Sequence, residues 1–326
     1  MTESSSDSPS SAPQGVAPSR ARPFRRFIGI DLGGGRGKNT AIARLERGDG
    51  QPSLTVAEAT VRQGHRGTGN HEGDALFRDE VLVDYLRRWT DDETVVAINA
   101  PLTLPPCVRC TLPCPGLTQC DVPSVAWMRT WAPLLLPRGK SDPTKPVVTP
   151  YTQRATEVLW TAVGARPREA LGQGTGPLAA RAAYLRRVLS PRLRLHENLL
   201  EVYPRATLTQ LFGATTERRT RHGETERVWE TRKEVLAGLR EGIDYAYVWP
   251  EVVVRNTHVF GAVICAYTGF LWSHAGWAGP LDLEQVGTVA GVPVGDAARA
   301  LGLAWVSDGW ICAPPPPRAG AQTGPT

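Results

Sequence analysis

The run from Thr94 to Ala100 is almost wholly apolar and closes in Asn99-Ala100-Pro101-Leu102. An unbroken apolar strand is buried on both faces, as in parallel strands covered by helices on each side. The stretch before it reads as a helix from a cap at Asp74 to about Trp89, with Leu76, Val81, Leu82, Tyr85 and Leu86 on its apolar side. A helical crossover into a buried strand is how parallel pairing is made. Pro101 then fixes the exit direction, and the chain runs into Cys107, Cys110, Cys114 and Cys120.

The segments around this strand predict an α/β fold with a mixed sheet. Phe27 to Leu32, Thr40 to Leu45 and Leu54 to Val61 are strand-like, and their short Gly-rich or Asp-Gly links favour an antiparallel meander. Helical patterns follow near Tyr151–Val163 and Pro177–Leu189. A strand over Leu199 to Tyr203 is stopped by Pro204, and a short helix over Ala206–Phe212 ends at Gly213. Helices are also expected over Glu226–Leu239 and, strongly apolar, over 258–274. The Ser/Pro-rich residues 1–22 and the Pro-rich residues 314–326 are expected to be loose tails. Between them, 23–313 reads as a single domain, with a cysteine-rich loop at 105–121 and a helical insertion over about 149–190.

With 41% hydrophobic residues the chain has material for a sizeable core. Its net charge of +5 permits nucleic-acid binding without demanding it. Six cysteines in a long chain, four of them bunched, do not resemble a secreted disulfide framework. The N-terminus lacks the apolar core of a signal peptide, and Val259 to Trp272 is short for a bilayer span. A cytoplasmic protein without a membrane partner is the expectation.

Five constellations carry potential chemistry. Asp31 ends the first strand and leads into Leu32-Gly33-Gly34-Gly35-Arg36-Gly37-Lys38, where a carboxylate beside permissive backbone suits Mg²⁺ or phosphate, with Lys38 as a phosphate contact. A P-loop is excluded, because Leu32 and Asn39 stand where that motif needs Gly and Ser or Thr. Asn99 interrupts an apolar run and requires a hydrogen-bond partner or a ligand. Glu201 does the same in its strand, where a buried carboxylate calls for a cation, a metal or an internal ion pair; Arg205 opens the next helix within reach of a phosphate. The four cysteines, CxxCxxxCxxxxxC, suit Zn²⁺ or a [4Fe–4S] cluster rather than Mg²⁺, on a loop that Pro105, Pro106, Pro113 and Pro115 hold away from helix or strand. Finally, Thr149 or Pro150 starts a helix in which Thr152 and Arg154 can meet an anionic ligand, or Arg154 can pair with Glu157 on the surface.

Three of these segments together resemble the domain of unknown function 429 family. They are Ile28-Gly29-Ile30-Asp31, Ala97-Ile98-Asn99-Ala100-Pro101-Leu102 and Glu201-Val202-Tyr203-Pro204-Arg205-Ala206-Thr207-Leu208, followed by the apolar helix from His258 to Trp272. The resemblance spans roughly residues 26–313. It implies a ribonuclease H-like fold, a mixed sheet opening with an antiparallel meander, and a nuclease that holds Mg²⁺ or Mn²⁺ on acidic residues at strand ends and on a late helix. By position, Asp31 and Glu201 match the acidic pattern, with Asn99 as a further ligand. Where the family shows Asp in the middle strand this chain has Asn99, and where it shows Asp-Ala in the late helix this chain has Gly261-Ala262. His258, one turn earlier, can substitute as a softer ligand. The cysteine loop lies outside the general family pattern and suggests a distinct subgroup, or a site rebuilt around another metal. A non-catalytic nucleic-acid- or nucleotide-binding module with a structural or sensing metal is the alternative. An ATP-using enzyme of the actin and sugar-kinase kind comes third, since Ile30-Asp31-Leu32-Gly33-Gly34 resembles its phosphate loop.

Overall fold

The computed structural model describes residues 24–34, 39–48, 54–62, 78–136, 146–239, 242–245, 247–289 and 291–316. The first tail, Lys38, the helix cap at Asp74 and residues 317–326 lie outside these. The strands are β1 (Arg26–Asp31), β2 (Thr40–Arg47), β3 (Leu54–Arg62), β4 (Thr94–Ile98), β5 (Leu199–Val202), β6 (Ile243–Asp244), β7 (Thr288–Val289), β8 (Val292–Pro293) and β9 (Ile311–Cys312). The helices are α1 (Asp79–Trp89), α2 (Pro106–Arg109), α3 (Pro123–Leu135), α4 (Ala155–Ala162), α5 (Gly176–Leu189), α6 (Pro204–Arg219), α7 (Thr225–Ala237), α8 (Pro250–Arg255), α9 (Thr257–Ala275), α10 (Val294–Leu301) and α11 (Ala304–Asp308), with a 3₁₀ helix over Gly279–Val286.

Seven strands form one mixed sheet in the order β6-β3-β2-β1-β4-β5-β9. The expected meander is present, β2 lying antiparallel to both β1 and β3. The apolar run β4 pairs parallel with β1 and β5, and β5 pairs parallel with β9. The period of two along each central strand sorts its side chains between two cores. Phe27, Val95, Ala97, Leu200 and Val202 face a core shared with α3, α4, α6 and α9. Ile28, Ile30, Val96, Ile98 and Leu199 face the other, closed by α1 and α5. No single helix among the described residues is long and apolar enough to cross a membrane.

The helix α9 lies unusually close to β1. A Cβ built on Gly29 would collide with the Ala262 carbonyl oxygen and the Ala266 nitrogen. Backbone cannot yield as a flexible side chain can, so Gly29→Ala is expected to destabilise the fold by at least the upper end of the ~1–3 kcal/mol typical of overpacking. Chemical denaturation of the variant against the parent chain measures this.

Several expectations change. The cysteine loop is not free of helix: Pro106 occupies the first position of α2, where a missing N–H costs nothing, and Cys107 rides on that turn. Helix α4 starts at Ala155 rather than near Thr149, because Glu157 reaches back to the Arg154 backbone N–H, as in one half of a capping box. Pro204 starts α6 rather than merely ending a strand, and helix resumes beyond Gly213, whose φ of 82° marks a break inside the element. The tail expected from residue 314 begins later, since Pro314 is buried.

Candidate functional site

Parallel β1 and β4 end at the same sheet edge, which brings Asp31 and Asn99 side by side. The Asn99 backbone N–H donates to the Ile30 carbonyl at 2.8 Å, and its Nδ2 donates to Asp31 Oδ1 at 2.6 Å. This answers the demand of a polar residue at the end of an apolar strand. The other carboxylate oxygen meets the first turn of α9. His258 Nδ1 lies 2.7 Å from Asp31 Oδ2 and donates to it, since a carboxylate can only accept. Asn256 fixes that turn, its side chain capping the His258 and Val259 N–H groups at 2.9 and 3.2 Å. One turn on, a Cβ at Gly261 would stand 3.3 Å from Asp31 Oδ2, so the bare backbone there leaves the carboxylate room. The Asp31 side chain is 15% exposed and that of His258 44%. The hydrogen bond to Asp31 raises the His258 pKa above its ordinary value; burial works against this and the carboxylate charge adds to it. Among the described residues His258 Nε2 has no hydrogen-bond partner.

Glu201 sits at the same edge but is closed off. Arg154 donates Nη1 to its Oε2 at 2.8 Å and Nη2 to its Oε1 at 2.5 Å, and the Leu102 N–H donates to Oε2 at 2.8 Å. Arg154 also donates Nε to Glu157 Oε1 at 2.9 Å and Nη1 to Thr103 Oγ1 at 2.7 Å. All three charged side chains are buried, Arg154 completely. The Arg154–Glu157 pair expected at the surface is therefore buried, and with Glu201 it forms the floor of a cleft, its charge already matched by the two carboxylates.

One guanidinium serves two carboxylates there. Burial opposes the charge on Arg154, yet Glu157 and Glu201 carry its pKa above the ordinary value. Burial also pushes the Glu157 carboxyl up, to about 7 from 4.5, with Arg154 opposing. The folded state thus binds this proton more tightly than the unfolded chain does. The stabilisation is complete below the ordinary glutamate value and is lost as pH rises through about 7. Thermal unfolding of Glu157→Gln between mildly acidic and mildly basic pH is expected to lose that component, so that the variant gains on the parent as pH rises.

A cleft of about 270 Å³ opens beside Asn99 and Pro101, walled by Tyr203, Arg168, Arg205 and Arg221. Arg205 and Arg221 share Glu217, their Nε atoms lying 3.0 and 2.7 Å from its Oε1. Arg168 has no ion-pair partner among the described residues, so the wall carries net positive charge. The Tyr203 hydroxyl is buried and lacks a hydrogen-bond partner among the described residues. Asp31 and His258 do not line this cleft; Asn99 is the residue the two features share. Sequence reasoning singled out Arg205 but not Arg168 or Arg221, which stand in polar stretches with no periodic or motif signal.

The four loop cysteines line one further chamber of about 410 Å³. Cys120 is buried, Cys107 half-buried, and Cys110 and Cys114 exposed, all four as free thiols. Among the described residues, no three His, Cys, Asp or Glu side chains are already gathered as a metal-binding group. No model of a known protein family, no curated protein and no solved structure matches the chain.

Proposed function

We propose that this chain is a ribonuclease H-like protein that binds a phosphate-bearing ligand, nucleic acid or nucleotide, and cleaves a phosphodiester beside Asp31. The strand order β3-β2-β1-β4-β5, antiparallel at first and parallel thereafter, supports the fold part of this reading. The observation that carries the chemistry is the Asp31–His258 pair, held 2.7 Å apart where the parallel strands end. It stands next to Asn99, which lines a cleft with a cationic wall and a tyrosine hydroxyl that has no hydrogen-bond partner among the described residues.

Enzymes of the family that the sequence resembles are expected to hold Mg²⁺ or Mn²⁺ on several carboxylates. The donor set here does not fit a pair of ions. Glu201 is taken by Arg154 and Leu102, the strand-end neighbour of Asp31 is an amide, and the nearest helix position is Gly261. What remains is proton handling by the chain's own groups. Where the pH leaves the ring neutral, Asp31 holds the Nδ1–H of His258 and the Nε2 lone pair takes a proton from an attacking water. As the water oxygen bonds to phosphorus, the bond to the leaving oxygen on the opposite side breaks; that oxygen takes its proton from solvent water, and the imidazolium afterwards releases its own to solvent. Arg168, Arg205 and Arg221, in the adjoining cleft that shares Asn99, hold the flanking phosphates of the ligand.

Cleavage of fluorogenic DNA and RNA at low salt, without metal and with Mg²⁺ or Mn²⁺, tests the reading against Asp31→Ala. Turnover by the parent chain that the variant lacks is the expected result. No turnover above the variant in any condition overturns it. The closure of Glu201 favours a second reading, a binding module without catalysis. Salt-dependent nucleic-acid binding with no turnover would select that one.

A further inference from the structure

We infer that Cys107, Cys110, Cys114 and Cys120 bind one Zn²⁺ ion, which fastens the loop after β4 to the start of α3. This site is independent of the phosphodiesterase reading and stands or falls on metal content alone.

The four residues line a single chamber although they are spread over fourteen positions of chain. Cys107 and Cys110 lie three apart across the single turn of α2, a spacing that puts both on one side of the turn. Cys120 is buried at the far end of the loop, and its carbonyl accepts from Arg129 of α3 at 3.0 Å, while the Leu117 carbonyl accepts from the same nitrogen at 2.9 Å. The loop's return is therefore anchored. Because all four thiols border one chamber, a single ion placed there can take all of them as ligands.

The segment between the anchors needs such a tie. Residues 111–119 are all exposed, and Leu112 is 68% exposed, so hydrophobic burial does not hold them. Thiolate donors select soft or borderline metals over Mg²⁺. Exposure then separates zinc from an iron–sulfur cluster: a cluster on so open a loop would face solvent and oxidants, whereas Zn²⁺ has no redox chemistry. Arg129 stands beside the loop to offset part of the excess negative charge of four thiolates around Zn²⁺.

The consequence reaches the buried ion pair. Arg109, on the turn that carries Cys107, pairs with Asp308, and the Thr103 hydroxyl donates to the Asp308 carbonyl while accepting from Arg154. Fastening the loop fastens one wall of that network.

The full chain, purified anaerobically without chelator, is expected to contain one zinc per molecule with no visible absorption. Exchange with Co²⁺ should give the intense visible bands of a tetrahedral thiolate site. Titration with a mercurial should release the ion in step with the loop thiols. Cys110→Ser and Cys114→Ser alter exposed positions and should fold, which circular dichroism checks, while losing more than ~100-fold in zinc affinity. Iron in place of zinc overturns the assignment. So does a folded parent chain that takes up no Zn²⁺ from a buffered supply, or unchanged zinc in the Cys110→Ser/Cys114→Ser double variant.

Discussion

Arg154→Met is expected to lower the free energy of unfolding by about 3–5 kcal/mol. The reason is what the substitution leaves behind. Glu157 and Glu201 each lose the only ion-pair partner they have among the described residues, at positions almost wholly buried at the floor of the cleft. Glu157 keeps the Arg154 backbone N–H and Glu201 keeps the Leu102 N–H, which is too little to solvate two carboxylates. Protonation is their remaining refuge, so the loss should be greatest at high pH and smaller in acid. Urea unfolding at two pH values reads both. Adding Glu157→Gln and Glu201→Gln to Arg154→Met should recover most of the loss, because no buried charge then lacks a partner. If the single variant is as stable as the parent at neutral pH, the ion network is not the internal prop described above.

His258→Ala is expected to reduce phosphodiester turnover by about 10²–10⁴-fold, the range that positioned proton transfer contributes. Ligand affinity should change little, since His258 does not line the cationic cleft. Asp31→Asn should lower turnover in the same direction while leaving the imidazole in place, because the amide no longer fixes which ring nitrogen carries the proton. Steady-state rates and equilibrium binding, measured on the same preparations, separate the two effects. A His258→Ala chain with undiminished turnover removes the imidazole from the chemistry.

Much of the central sheet was legible because its signal is local. The alternation that sends Ile28 and Ile30 one way and Phe27 the other is written in adjacent residues, as is the apolar run of β4. That Asp31 and Asn99 share a site was expected only from the family resemblance; the parallel pairing of β1 and β4 is what sets them side by side. The partner of Glu201 was not legible. Arg154 is 47 residues away in the chain, and only tertiary packing selects it over the nearer Arg205. Strand β9 has two residues, too few for any period to register, yet its pairing with Glu201 and Val202 extends the sheet. Asp308, which receives Arg109, looks in sequence like any polar residue before a glycine turn.

The contact between Gly29 and the backbone of α9 gives the sheet edge a separable design. The height of α9 above β1 is set at Ala262 and Ala266, deep in the core, by a position that tolerates no side chain. Residues 258 and 261 hang from the same helix but lie outside that clamp. A carboxylate at 99, across from that helix, would alter the donor set around Asp31 while the helix stays where glycine holds it, whereas a side chain at 261 would also have to push the Asp31 carboxylate aside. The donor set beside Asp31 is thus set separately from the helix–strand spacing, which Gly29 controls on its own.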